Sequence, residues 1–219
     1  MILVKPSHKI LAIMAEGAEL QLIERAGRTC YKSEDKITMD SSEKFIKSIR
    51  DRGHHSVLEH SAMTVRFVCD RGVTHEIVRH RLAAYSQEST RYCNYKGGVT
   101  FVIPPWVDLP EGEHSIDVSL LFEEINANTT WLLAIQQASD NYINLLQRGW
   151  SPQQARSVLP NSLKTEIVMT ANFREWRHVL TLRCTKAAHP QMRELMIPLL
   201  KECQQLIPVI FEDLEADDE

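Results

Sequence analysis

The chain has no C-x-x-C pair: its five cysteines, Cys30, Cys69, Cys93, Cys184 and Cys203, are odd in number and scattered. That argues against a disulfide framework and a structural zinc site, and fits a reducing, cytoplasmic setting. No G-x-G-x-x-G follows a strand and no G-x-x-x-x-G-K-[ST] occurs. A Rossmann dinucleotide site and a P-loop are therefore excluded, and any bound nucleotide must be held by side chains. Long hydrophobic runs are missing too. The opening MILVKPSHKILAIMAEGAE is broken by Lys5, Pro6, His8 and Lys9, and reads as neither a signal peptide nor a membrane span. There is no internal repeat, low-complexity block or Gly/Ser linker. A basic excess is absent: the net charge is −4 and the pI near 6.1, which argues against a general nucleic-acid surface. His54, His55, His60, His75 and His80 crowd together, yet His75-Glu76 and His80 miss the H-E-x-x-H spacing by one residue. On a helix the two histidines would stand about 140° apart, so no metal site is expected. His8 and His114 read as exposed loop residues.

What is present suits one domain over residues 1–219, with 43% hydrophobic and 25% charged residues and an acidic tail at about 212–219 that frays into solvent. An opening strand is expected within 1–14, and helices over 16–28 and 41–52. The second of these carries Phe45, Ile46 and Ile49 on one face, with Gly53 as its stop. Ala62–Cys69 alternates as a strand should, and a short helix follows over Val73–His80. Gly97-Gly98 marks a break before a strand at Thr100–Ile103 and Pro104-Pro105. The clearest helix runs from Ser119 to Arg148, with Leu121, Ile125, Leu132, Ile135, Ala138, Tyr142 and Leu145 as its apolar stripe. Gly149 ends it. Ser151-Pro152-Gln153-Gln154 restarts a helix with a cap, a Pro at the first position and Gln three residues on. Lys164–Ala171 alternates as a strand and Phe173–Leu182 returns to helical spacing. Met192, Leu195, Met196, Leu199, Cys203, Leu206 and Ile210 form a last stripe, kinked or restarted near Pro198 and Pro208. These stripes are core or subunit interface. The sum is an α/β chain of the α+β type, helix-rich, with a small, mostly antiparallel sheet.

Residues 79–92 stand out. Arg79, Arg81 and Arg91, one histidine and several hydroxyl side chains lie close together in an otherwise acidic chain. Guanidinium groups offer fixed planar forks to phosphate oxygens, and hydroxyls add donors and acceptors for a sugar or base edge. A solvated basic turn at a helix end is the plainer alternative.

Arg79-His80-Arg81, seven further residues and then Ser89, followed by Thr90-Arg91-Tyr92, resembles the signature of the flavin-dependent thymidylate synthases. Arg52–His60, Ala155–Pro160, Thr170–Arg174 and Leu182-Arg183 are similar to the family's other blocks, so the likeness spans nearly the whole chain. It implies a homotetramer with shared active sites that makes dTMP from dUMP. Its carbon donor is 5,10-methylenetetrahydrofolate, its hydride carrier FAD and its reductant NADPH. Carried over residue by residue, His54, Ser56, Arg79, His80, Arg81, Gln87, Asn172, Arg174 and His178 are expected to contact the flavin. Glu76, Arg79, Gln87, Glu88, Ser89, Thr90, Arg91, Arg156 and Arg183 are expected to contact dUMP. Arg183 is the expected catalytic residue, a cation that cannot lose its proton and so stabilises negative charge developing on the uracil ring.

Ser89 has no activating base near it in sequence except His80, and the resemblance implies no enzyme nucleophile, so Ser89 is expected to be a substrate contact. Cys93 is expected to be a small buried residue. Two positions depart from the family pattern: Glu76 stands where Gln is frequent, and Gln87 where Glu is commoner. A non-catalytic nucleotide- or RNA-binding protein is the rival reading. Tyr92 and Tyr95 beside Arg91 are its only stacking candidates.

Overall fold

The computed structural model describes residues 1–13, 17–116 and 126–217. Residues 14–16, 117–125, 218 and 219, with Leu121 and Ile125 of the expected long helix, lie outside the described residues. The chain is a helix-rich α+β protein with small sheets, and its contacts divide it into two compact units.

The first unit comprises Met1–Ser7, Val68–Ile77 and Ser86–Ile167. Strand β1 (Ile2–Val4) pairs in parallel with β5 (Thr100–Val102), Leu3 opposite Phe101, and antiparallel with β6 (Gly112–Glu113). Leu3 and Phe101 are fully buried with Val99, Leu132, Ile135, Tyr142 and Leu163. Helix α4 spans Ala127–Gln147 and begins where the Asn126 side chain accepts the Thr129 amide at 2.9 Å, which supplies one of the helix's unpaired N–H groups with a partner. Its buried positions, Leu132, Ile135, Ser139 and Tyr142, follow the expected stripe. Gly149 ends the segment with φ 90°, a backbone angle that favours glycine. The restart at Ser151 is also as expected: the Gln154 side chain accepts the Ser151 amide at 2.9 Å and opens α5 (Pro152–Ala155). Helix α3 is shorter than the sequence suggests, Arg71–Ile77, and its first turn is fixed by the Asp70 carboxylate accepting the Val73 amide at 2.7 Å.

The second unit comprises His8–Phe67, Val78–Tyr85 and Val168–Glu219. Helices α1 (Ala18–Thr29) and α2 (Ser41–Asp51) pack closely here, and a Cβ on Gly27 would sit 2.6 Å from the Phe45 ring. A tight helical turn at His55–His60 leads to β3 (Ala62–Asp70). Helices α6 (Phe173–Arg183), α7 (Pro190–Leu206) and α8 (Pro208–Phe211) complete the unit. A four-stranded sheet has the order β2 (Ser7–Ala12), β3, β7 (Lys164–Asn172), β4 (Ala83–Gln87). Met63, Val65, Phe67 and Cys69 alternate inward on β3, and Thr165, Ile167, Met169 and Ala171 on β7, the period of two that made both strands legible.

Four expectations need correction. His8 is not an exposed loop residue: it lies on β2, its side chain 13% exposed, with Nε2 2.7 Å from the Glu202 carboxylate. His114 is in a loop but half-buried, its Nε2 2.8 Å from the Pro110 carbonyl. Cys93 is half-buried instead of buried. The restart expected near Pro208 is present, after Ile207, whereas no restart occurs at Pro198, which lies inside α7.

Candidate functional site

In the second unit the site is organised by α6. Asn172 caps it, its side-chain oxygen accepting the Glu175 amide at 2.8 Å, and Arg183 is its last residue. Residues three and four apart share a helix face, so Arg174, His178 and Thr181 fall together while Trp176, Val179 and Leu180 are buried. Arg174, Glu175, His178 and Thr181, with Asn172, His55, Glu59, Leu82 and Arg177, line a cleft of about 660 Å³. Its rim carries the Arg174–Glu59 ion pair.

His80 is the electrostatic centre of this unit. It is 6% exposed although its neighbours Arg79 and Arg81 are exposed. Its Nε2 accepts the Arg183 Nε–H at 3.0 Å, its carbonyl accepts the Tyr85 hydroxyl at 2.7 Å, and its Nδ1 lies 3.7 Å from Glu175. The His178 ring stands edge-on at 6.1 Å. An Nε2 that accepts a hydrogen bond leaves the ring proton on Nδ1, the side facing Glu175. Burial, then the Arg183 and His178 charges, push the imidazole down to about 4. The Tyr85 phenol is pushed up to about 12 by burial and by Glu175.

The consequence is measurable. Nitrogen-detected NMR should find His80 neutral, with the proton on Nδ1, down to about pH 5. Its folded value lies below the ordinary 6.5, so the unfolded chain takes up a proton that the folded chain refuses. This contribution to stability is intact above pH 6.5 and is lost as pH falls towards 4. A His80 ring that titrates near 6.5 in the folded protein would show it to be neither buried nor held against Arg183 in solution.

In the first unit the chain from Gln87 to Arg91 is braced at every residue but the exposed last. The Gln87 side-chain amide donates to Thr74 Oγ1 at 3.0 Å and Thr165 Oγ1 at 3.4 Å. Glu88 accepts the Tyr95 hydroxyl at 2.7 Å on one oxygen and the Lys164 ammonium at 3.3 Å on the other. The Ser89 carbonyl accepts the Tyr92 and Cys93 amides, closing a turn. Thr90 is buried and its hydroxyl accepts an Arg156 N–H at 3.0 Å. Arg91 is exposed and lies over the Tyr92 ring at 5.5 Å. Among the described residues Ser89 Oγ meets only the Arg91 amide, at 3.3 Å, so no base activates it there. A cleft of about 440 Å³ is lined by Arg71, Thr90, Gln153, Arg156, Ser157, Leu159, Pro160, Asn161 and Leu163.

The two clefts therefore gather some expected residues and not others. Asn172, Arg174 and His178 share one, Thr90 and Arg156 the other. His54 and Ser56 are exposed on the turn before β3, and it is His55, hydrogen-bonded to the Arg50 carbonyl at 3.2 Å, that lines the cleft. Arg79 and Arg81 project outside the cleft linings, and Glu76 sits half-buried on α3. Glu59, Glu175 and Arg71 were not singled out from sequence, and His55 only as one of a histidine cluster read as no metal site. A polar residue on a turn or at an element end looks ordinary until the fold shows its neighbours.

Residues 11–209 match the thymidylate synthase complementing protein family. The chain is 37% identical over 199 residues to the flavin-dependent thymidylate synthase of Mycobacterium avium, covering 89% of this chain and 79% of that one. It is 35% identical over 200 residues to the enzyme of the same name from Mycobacterium tuberculosis, with the same coverage. Among solved structures it resembles the UMP/dUMP methylase PolB of Streptomyces cacaoi, bound with 5-Br dUMP. The TM-score is 0.76 at 24% identity, over 97% of this chain and 96% of that one, a likeness of fold. The chain therefore belongs to the thymidylate synthase complementing protein family, which it matches along nearly its whole length.

Proposed function

We propose that the protein is a flavin-dependent thymidylate synthase that converts dUMP to dTMP. Methylenetetrahydrofolate gives the carbon unit, and electrons come from NADPH by way of FAD. The observation that carries this reading is the Arg183–His80 pair at the end of α6. A neutral imidazole acceptor fixes the guanidinium plane without cancelling its charge, which is the arrangement needed to stabilise an anionic pyrimidine. His80 is therefore a holder of Arg183 and not a general acid.

The residues present suit a flavin. The cleft in the second unit has a volume within the usual range for small-molecule pockets, about 300–1,000 Å³, and combines polar donors with cations. Arg79 and Arg81 are exposed and pair with no carboxylate among the described residues, leaving two guanidinium groups for phosphate oxygens where no glycine loop exists. His54, Ser56, Gln87, Asn172, Arg174 and His178 complete the FAD-contacting set. FAD, when bound, supplies the hydride chemistry. Glu76 and Gln87 to Arg91, with Arg156 and Arg183, hold dUMP, and Ser89 acts as a contact.

In this reading residues 1–219 act as one functional domain, four copies assemble with shared sites, and the enzyme works in the cytoplasm. No described helix is long and apolar enough to cross a membrane. The test is direct. Purified protein should be yellow and should form dTMP from dUMP, methylenetetrahydrofolate and NADPH. Colourless protein that binds RNA and forms no dTMP would establish the rival reading.

A further inference from the structure

The acidic end of the chain is tied down as far as Asp217, where the sequence suggests a frayed tail. The Asp217 carboxylate accepts the Lys186 amide at 2.7 Å, and its carbonyl accepts an Arg193 N–H at 2.8 Å. Upstream, α8 buries Ile210 and Phe211, with the Phe211 ring edge-on to Phe173 at 6.0 Å. The family match ends at residue 209, and Glu212 and Asp213 lie beyond it.

Two buried arginines meet this segment. Arg50 on α2 donates from Nη1 to the Val209 carbonyl at 2.8 Å and from Nη2 to Glu212 at 3.0 Å. Arg177 on α6 donates to the Ile210 carbonyl, and its Nη1 and Nη2 grip the two Asp213 oxygens at 2.7 Å each. Asp213 also stands 3.6 Å from Arg50 Nη1, so one carboxylate reaches both guanidinium groups. Lys47, Arg50 and Arg177 together face Asp51, Glu212 and Asp213, and the charges balance. The Arg177 guanidinium holds the Asp213 carboxyl below its ordinary range. Removing one carboxylate from such a set strands a buried cation, which must turn to find another acceptor.

Both arginines reach the cleft of the second unit. Arg177 lines it beside His178, and the Arg50 carbonyl holds the ring of His55, which lines it too, at 3.2 Å. We propose that Glu212 and Asp213 form a C-terminal clasp and that Asp213 is a positioning residue for this cleft, acting through Arg177 and Arg50. On the reading that the cleft takes the flavin, the clasp sets its lining before the flavin arrives and so lowers the ordering cost of binding.

The experiment compares unchanged protein, Asp213→Asn, Asp213→Glu and Asp217→Ala. It measures the FAD dissociation constant, the circular dichroism of bound flavin, the thermal midpoint, and the His55 and His178 ring NMR signals of flavin-free protein. Asp213→Asn should weaken FAD roughly 10-fold, alter the flavin spectrum and move both ring signals. Asp213→Glu keeps the charge on a longer stem and should restore part of the affinity. Asp217→Ala cuts the tail from Lys186 and leaves the clasp intact. It should lower the thermal midpoint yet hold FAD within about twofold and leave both ring signals in place. Equal FAD losses in Asp213→Asn and Asp217→Ala would make the clasp merely structural. Ring signals unmoved by Asp213→Asn would overturn the proposal whatever the flavin does. If unchanged protein binds no FAD while Asp213→Asn, and not Asp217→Ala, moves both rings, the clasp stands and the thymidylate synthase reading falls.

Discussion

Arg183→Ala should lower dTMP formation by roughly 10²-fold or more, with flavin content unchanged. The uracil ring must become electron-rich at C5 to accept a one-carbon unit, and the buried thiols are not poised to force this. Burial raises the thiols of Cys69, Cys184 and Cys203 above their ordinary range, so they stay protonated and unreactive. A fixed cation beside the ring can do it instead. Arg183 ends α6 and is tied by its Nε to His80, so its orientation is set before substrate arrives. That preorganisation gives such a contact several kcal/mol of value in a site closed to water. Arg183→Lys should recover only part of the rate, because an ammonium has no planar fork and would meet His80 at a different length. A second readout separates this from misfolding. The Arg183 charge is one cause of the low His80 value, so removing it should raise the pH at which His80 titrates. Near-normal turnover in Arg183→Ala would take the residue out of the mechanism.

The parts of this site that were legible in sequence are those whose signal is local. Alternation exposed β3 and β7, and Ser151-Pro152 with Gln154 exposed α5, because period and capping are written in neighbouring residues. The arginine-rich motif was visible because its composition contrasts with an acidic chain. Strand β4 was missed: Ala83–Gln87 is short, with no β-branched residue and a half-exposed pattern, so the strand exists only through its partner in the sheet. The motif accordingly reads as one block in sequence but belongs to two units, Arg79–Arg81 to one and Gln87–Arg91 to the other. His80 looked like a third flavin contact between two arginines, yet it is buried where they are exposed. Its partners Glu175 and Arg183 lie about a hundred residues away, the Arg183 hydrogen bond of 3.0 Å spanning 103 positions.

Trp176→Ala should remove about 3–5 kcal/mol of stability, lowering the thermal midpoint on the order of 10 °C in a chain of this size. Trp176 is fully buried on the inner face of α6, its ring 6.4 Å from Phe67 on β3. Its indole N–H donates to the Met63 carbonyl at 2.9 Å, so truncation both opens a cavity and deletes a hydrogen bond. The site should feel this loss, because the same helix turn presents Arg174 and His178 on its other face, and a helix that packs loosely cannot hold them still. Trp176→Phe separates the two contributions: it keeps most of the volume, loses the N–H, and should cost only roughly 1–2 kcal/mol. Flavin retention measured at a temperature where both variants remain folded should fall further for Ala than for Phe. If Trp176→Ala unfolds at the unchanged protein's midpoint, α6 is held chiefly by its other buried residues, Phe173, Val179 and Leu180, and the anchoring assigned to the indole is wrong.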